Sequence, residues 1–334
     1  MIDFFNSNLV LVQATLSGLV LALSVQVPLR IGVFSFAGAG SYGLGGYAAA
    51  LLVIHLGLNT FAAIGLTILI TAFVGVLLGL IISGLNGLYL AMATVAFDLI
   101  ISVVAINGGT FTGESTGLYG VIVDFTTTQM FILTLVALVL VALSERGRIG
   151  RRSQAVRDDQ QLAASAGVNV RRYRLMAFVV SGALGGLAGA MNVMVHTTIG
   201  PLDIGFGLVV LALTMIIVGG AMSWKGAVLG AVIFTWLPHF LDVIGQWQNL
   251  VYGIIVALAA IFLPRGFHGV IVDVIRWVQR KRRGTLDKPA PDPSGDLEPE
   301  HLLPTSSGAP PPPPPQQQVR GGVARCLLAR GAKP

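Results

Sequence analysis

The chain is poor in charge. Only 11% of its 334 residues are Asp, Glu, Lys or Arg, less than half the roughly 25% of a soluble domain. A single cysteine, Cys326, excludes an intrachain disulfide framework and a cysteine-based metal site within one chain. None of the four lysines, Lys225, Lys281, Lys288 and Lys333, closes a G-x-x-x-x-G-K-[ST] loop, so ATP cannot be held by a P-loop here. The five histidines show no metal spacing. No G-x-S-x-G elbow or Ser-His-Asp order is visible. The expectation is a chain that is not an enzyme, with no catalytic residues, metal or cofactor of its own.

Apolar residues are abundant instead, at 54%, with a mean hydropathy of +0.80. A membrane span needs roughly 20 apolar residues. Nine candidates follow, at about 8–28, 32–56, 60–83, 87–106, 129–144, 175–195, 205–221, 226–242 and 247–263. The first run has no Lys or Arg before Arg30, unlike the positive n-region of a signal peptide, and is expected to be a retained span. The net charge of +6 sits in segments flanking the spans and in the tail, which points to a membrane surface and away from nucleic acid.

The charges orient the layout. With the loop 145–174 inside, Arg30, Lys225, Arg265, Arg276, Arg280, Lys281, Arg282 and Arg283 all fall inside. The segments predicted outside hold no Lys or Arg, only the acids Asp3, Glu114, Asp124 and Asp203. That asymmetry predicts a multi-pass protein of the plasma membrane, N-terminus out, C-terminus in, with an odd number of spans.

The 42 glycines concentrate in the spans. Gly182 and Gly186, Gly185 and Gly189, Gly226 and Gly230, and the series Ala37, Ser41, Gly45 repeat at four-residue spacing. Small residues at i and i+4 share a helix face and let backbones approach in lipid. The same density in FSFAGAGSYGLGG also permits a broken helix beside a substrate path.

Two polar features stand out. Asp98 is the one acid well inside a predicted span. Thr94, Asp98 and Ser102 lie four apart on one helix face, and Asn107 closes the span. The stripe lines a translocation path, or Asp98 is a structural carboxyl against a neighbouring helix. The second feature is the loop 145–174, with eight arginines against three acids. Within it, SQAVRDDQQLAASAG is expected to form one short amphipathic helix that stops at Gly167, with Ala155, Leu162 and Ala166 as its apolar face. Such a helix fits a groove of another protein. From about residue 284 the chain turns rich in Pro, Gly, Ser and Gln, with Pro310 to Pro315 in a row. It divides into a transmembrane domain 1–283 and a Pro-rich cytosolic tail 284–334, expected to be disordered.

At these motifs the chain resembles the branched-chain amino acid ABC transporter permeases of the LivM type, over about residues 15–270. The family's loop pattern is matched by Arg152, Val156, Arg157, Asp158, Asp159, Ala163, Ala164, Gly167, Val168 and Asn169. GLYLAMATVAFDLI is similar to a family run that ends near an acid, here Asp98. FTGESTGL resembles the family's Gly-rich loop with Glu114 in place of a glycine, and Ala37 stands where histidine is common. VGGAMSWKGAVLGA and FLPRGFHG match late signatures.

The resemblance implies an all-α polytopic helix bundle of about nine spans with a cytosolic coupling helix. It implies an importer in which Arg152, Arg157, Asp158, Asp159, Ala163, Ala164 and Gly167 couple to two ABC ATPase subunits. ATP and Mg would be bound by those partners. A second homologous permease subunit, an extracytoplasmic solute-binding protein and membrane lipid complete the expected set. Family substrates are branched-chain amino acids, with relatives that carry other small solutes. The alternative is an ion-coupled secondary transporter or channel that uses Asp98. No second half with its own intramembrane acid is visible. A membrane scaffold with an interaction tail would leave the loop pattern unexplained.

Overall fold

A computed structural model of the chain describes residues 8–82, 84–241, 245, 247–262 and 266. The tail, the basic cluster from Arg276 to Arg283, Arg265, Asp3 and Cys326 lie outside them. The described residues form an all-α bundle. Its helices are α1 (Leu9–Arg30), α2 (Ala37–Leu56), α3 (Thr60–Ile82), α4 (Gly87–Asn107), α5 (Thr127–Ser144), α6 (Gly147–Asp158), α7 (Gln160–Ser165), α8 (Val170–His196), α9 (Phe206–Gly219), α10 (Trp224–Leu241) and α11 (Gln248–Phe262).

Among the described residues, a helix forms the body of each of the nine expected apolar segments, although the second begins only at Ala37. Seven helices among the described residues are long and apolar enough to cross a membrane: α1 to α5, α8 and Pro201–Gly219, which contains α9. The other two fall short for local reasons. α10 carries Lys225, Pro238 and His239, and α11 has only 15 residues. α3, α4 and α5 keep apolar side chains on their exposed faces, as Leu69, Phe73, Met92, Val103 and Leu140 do. A helix that is apolar all round belongs in lipid.

α8 is the axis of the bundle and packs against α1, α2 and α3. Its glycines explain why. Gly182 and Gly186 face α3, where a Cβ would lie 2.6 Å from the Thr71 carbonyl oxygen or from Thr71 Cγ2. Gly185 and Gly189 face α2, where a Cβ would lie 2.9 Å from Ser41 Cβ or 2.8 Å from Gly46 N. The two four-residue spacings therefore serve two different neighbours, and both permit contact of backbone with backbone. Gly226 and Gly230 bring α10 onto the end of α9 in the same way. α2 runs without a break from Ala37 to Leu56, so the glycine-rich stretch is a packing face and not an interrupted helix.

Helix ends follow local chemistry. Gly32, at φ +79, turns the chain out of α1. Its N–H donates to the Leu29 carbonyl at 3.0 Å and the Val33 N–H to the Pro28 carbonyl at 3.0 Å, the Schellman pattern. On the opposite side of the bundle, Leu118–Tyr119 pairs antiparallel with Thr198–Ile199. This two-residue ribbon ties the α4–α5 connection to the end of α8. Glu114, in the same connection, sits at φ +54, a conformation that favours glycine.

Candidate functional site

The charged loop between α5 and α8 is two helices, not one. α6 begins at Gly147, six residues before the expected start, and ends at Asp158. Asp159 is extended, at φ −155 and ψ 113, and breaks the helix. Its carboxylate accepts the Gln161 N–H at 2.8 Å and the Leu162 N–H at 3.0 Å, capping α7. α7 stops at Gly167 as expected. Gly167 lies at φ +80, its N–H donates to Ala164 and that of Val168 to Ala163, both at 3.0 Å.

The break resets the helical phase, so the buried face differs from the expected one. Gly150, Ser153, Val156 and Ala163 are buried, while Ala155, Leu162 and Ala166 are exposed. Val156 and Ala163 enter a second small core with Ile31 and Val33 after α1, Ala37 of α2, Ile82 of α3, Leu90 of α4, and Ala177 and Phe178 of α8. The loop thereby shares one small core with residues from five spans or their ends.

Side chains at both ends of α6 anchor it to the same two elements. At its start, Glu145 pairs with Arg30 of α1 at 3.4 Å, and both side chains are largely buried at 15% and 11% exposure. The same carboxylate accepts the Trp224 N–H at 2.8 Å, at the start of α10, where a negative charge suits the helix dipole. At its end, the Arg157 backbone rests on Gly32, where a Cβ would lie 3.2 Å from the Arg157 Cα. The Arg157 guanidinium reaches Met222, just before α10. It also holds Asp158, at 3.0 Å. α6 is therefore clamped at each end to the end of α1 and the beginning of α10. A third tie lies nearby. Arg174 of α8, nearly buried, donates to Asn86 Oδ1 at 2.8 Å and to the Leu85 carbonyl, between α3 and α4.

Of the residues expected to couple, Ala163 faces inward and Arg157 is partly covered. Arg152, Asp158, Asp159, Ala164 and Gly167 are exposed. Sequence reasoning missed Arg30, Glu145, Gly32, Met222 and Trp224 as members of this constellation. Its one local signal was that Arg30 and Glu145 stand at the ends of spans on the side of the loop.

The stripe on α4 is brought only partly together. Thr94 and Asp98 are buried, at 0% and 1% exposure, and Ser102 is half-buried against Gly205. Thr94 Oγ1 accepts the Phe36 N–H at 3.0 Å and donates to the Ala91 carbonyl at 2.9 Å, so it seals the entry to α2. Both Asp98 carboxylate oxygens lack a hydrogen-bond partner within the described residues. Gly40 of α2 lies over this point, where a Cβ would fall 3.1 Å from the Asp98 Cα. Asn107 is exposed and donates back to the Val103 carbonyl at 2.9 Å, which makes it a helix-end residue apart from the stripe. No group of three or more His, Cys, Asp or Glu among the described residues is placed to hold a metal ion.

Comparison with known proteins gives one family. The family described as "Branched-chain amino acid transport system / permease component" matches residues 8–260. The chain is 28% identical over 282 residues to the high-affinity branched-chain amino acid transport system permease protein LivM of Escherichia coli K12, covering 74% of this chain and 66% of that one. It therefore spans just under two thirds of the length of that relative. It is 29% identical over 164 residues to the corresponding permease protein BraD of Pseudomonas aeruginosa, covering 48% of this chain and 53% of that one. It is 31% identical over 113 residues to LivH of Escherichia coli K12, covering 33% and 36%. No solved structure matches.

Proposed function

Since the chain belongs to the permease-component family of branched-chain amino acid transport systems, across residues 8–260, we propose that it is the transmembrane permease subunit of an ATP-driven ABC importer. The chain is a multi-pass membrane protein of a family that transports and does not catalyse. Its cargo would be a branched-chain amino acid or a similar small polar or amphipathic solute, moved inward by alternating access. Two ABC ATPase subunits would bind ATP and Mg and dock on the α6–α7 loop. A second homologous permease would complete the pore, a pairing suggested by similarity to both LivM and LivH of one organism. An extracytoplasmic binding protein would deliver the solute. The membrane would be the bacterial inner membrane, with the N-terminus out and the C-terminus in.

The observation that best supports this reading is the loop's construction. Its outward side offers Asp158, Asp159, Leu162 at 68% exposure and Ala164 to a partner. Its inward side is bound to α1 and α10 through two anchor points and to the second core through Val156 and Ala163. A partner that moves the loop must move those span ends. The transition is a shift between two states through differential binding. Asp98, buried at the α2–α4 contact with no hydrogen-bond partner among the described residues, lies where a change in that contact would uncover it. That placement also supports the second reading, an ion-coupled carrier.

A crosslink separates them. Leu162→Cys in a Cys326→Ser background puts the only thiol on the outward side of α7. Capture of an ATPase subunit in native membranes, together with uptake that stops on ATP depletion and survives a protonophore, is the expected result. No capture in membranes that contain the ATPase, with uptake abolished by the protonophore, would replace it with the ion-coupled carrier.

A further inference from the structure

One face of α8 changes character along its length where it leaves the loop. Arg172, Tyr173, Met176, Ala177 and Val180 follow at helical spacing. They run roughly 12 Å along the axis at 1.5 Å per residue. Two adjoining cavities lie over this face. The first, about 420 Å³, is lined by Arg152 and Arg172 with Asn169 and the turn at Gly167. The second, about 220 Å³, is walled by Val27 of α1, Ile31 just after it, and Ala177 and Val180 of α8, and Arg30 also lines it. Ile149, Tyr173 and Met176 line both, so the two cavities adjoin along α8 and together outline a groove. No acidic side chain lines either cavity. Arg30 is committed to Glu145, whereas Arg152 and Arg172 are exposed and make no ion pair with a described residue. Ile149, Met176 and Val180, which line the groove, are 57%, 61% and 41% exposed.

We propose that this groove binds an anionic glycerophospholipid of the cytosolic leaflet, its phosphate between Arg152 and Arg172 and an acyl chain between α1 and α8. The order of groups matches that ligand from one end to the other. Two cations stand at headgroup level, a tyrosine at the interface, and an apolar channel continues inward. Basic pockets beside cytosolic span ends recognise anionic headgroups, and tyrosine prefers the interfacial layer. The apolar length favours a lipid over a free inorganic anion, and two arginines with no acidic side chain beside them favour a net-negative headgroup over a zwitterionic one. The inference rests on the reading that places the loop on the cytosolic side. A bound lipid would brace α6, because Ile149, Arg152 and Ser153 form its share of the wall.

The test uses the purified full-length chain in mixed micelles of detergent with equal phosphatidylglycerol and phosphatidylcholine, with retained lipid counted by native mass spectrometry. The wild type should retain phosphatidylglycerol in preference. Arg172→Gln should lower that preference about fivefold, the contribution of one arginine near an anionic headgroup, and Arg172→Lys should keep it. Ala177→Leu, which narrows the apolar channel, should lower retention of both lipids. No preference in the wild type, or full preference in Arg172→Gln, would overturn the proposal. So would loss of phosphatidylglycerol to excess inorganic phosphate, which would mean a small-anion site. Met176→Cys, in the Cys326→Ser background, that crosslinks to a co-expressed subunit in high yield would show a protein interface and sink it too. Labelling of the loop from outside intact cells would remove the cytosolic reading while leaving the micelle measurement unaffected.

Discussion

The seam along α8 and the loop that precedes it are built on opposite plans. In the seam, Gly182, Gly185, Gly186 and Gly189 remove side chains so that backbone meets backbone on α2 and α3. At Gly182 and Gly189 the facing atoms are all backbone and cannot swing aside. In the loop, the ties to α1 and α10 are mostly long side chains: Arg30 to Glu145, Glu145 to the start of α10, Arg157 to Met222. Such contacts can be exchanged without repacking a core. The first plan makes a rigid block of α2, α3 and α8, and the second makes a lever seated on the ends of α1 and α10. The proposed import cycle uses both, because a lever only does work against something that does not deform.

The comparison breaks most visibly in the seam. Gly189→Ala would place a Cβ 2.8 Å from Gly46 N and against the Tyr42 carbonyl. Both are backbone atoms and cannot rotate away. The expected cost is about 3 kcal/mol or more, at the upper end for overpacking, and Gly189→Leu should leave no folded protein. Size-exclusion profiles and thermal unfolding in detergent would show it. A Gly189→Ala protein as stable as the wild type would mean that the seam yields, and the rigid-block view would go.

Breaking the lever should leave the fold standing. Glu145→Gln keeps an oxygen for the Trp224 N–H but leaves Arg30 without its charge partner. The loss is about 1.5–3 kcal/mol, the range for a hydrogen bond to a charged group. Under the proposed function, the assembled transporter should still hydrolyse ATP, while the solute moved per ATP falls. The double variant Arg30→Glu with Glu145→Arg tests the pairing itself. Recovery of coupling would assign the effect to the ion pair, and an unchanged ratio of transport to hydrolysis in Glu145→Gln would remove this contact from the lever.

The seam was legible in the sequence because its signal is local. Four-residue glycine spacing lies within one helix, and the structure keeps it. The lever was legible only in part. The stop at Gly167 follows from one residue type, but the break at Asp159 was passed over, although an aspartate before Gln160, Gln161 and Leu162 is an N-cap signal. Reading one continuous helix across that break carried the wrong phase forward and assigned burial to Ala155, Leu162 and Ala166. The pairing of Arg30 with Glu145 joins residues 115 apart by subtraction of their numbers, and no periodicity reports such a contact. On α4 the spacing of Thr94, Asp98 and Ser102 predicted a shared face. The use of Thr94 to seal α2 and the outward turn of Asn107 depend on neighbours that the span alone does not specify.

A smaller effect is expected at the joint inside the loop. Asp159→Ala removes the cap of a six-residue helix, worth about 1 kcal/mol. So short a helix has little stability of its own. Under the proposed function, recovery of the ATPase with the purified chain should drop roughly fivefold, while Asp159→Asn, which can still accept both N–H groups, should retain most of it. Equal recovery with all three residues would show that α7 is held by Ala163 in its core and not by its cap.

The mildest change sharpens the comparison most, because it repeats the seam's substitution in the loop. Gly167→Ala meets no atom within 4 Å, so sterics of the kind that govern Gly189 are absent. What remains is the backbone at φ +80. A left-handed alanine costs about 1–2 kcal/mol, and the lower entropy of the unfolded chain returns about 0.4–1 kcal/mol. The net is a loss of roughly 0.5–1 kcal/mol, far below the effect in the seam. Asparagine tolerates this conformation better, so Gly167→Asn should fall between glycine and alanine. If the order glycine, asparagine, alanine holds at 167 in thermal unfolding while Gly189→Asn is as damaging as Gly189→Ala, the glycines of this chain divide into two kinds. One kind is there for the shape of the backbone, the other for the space beside it.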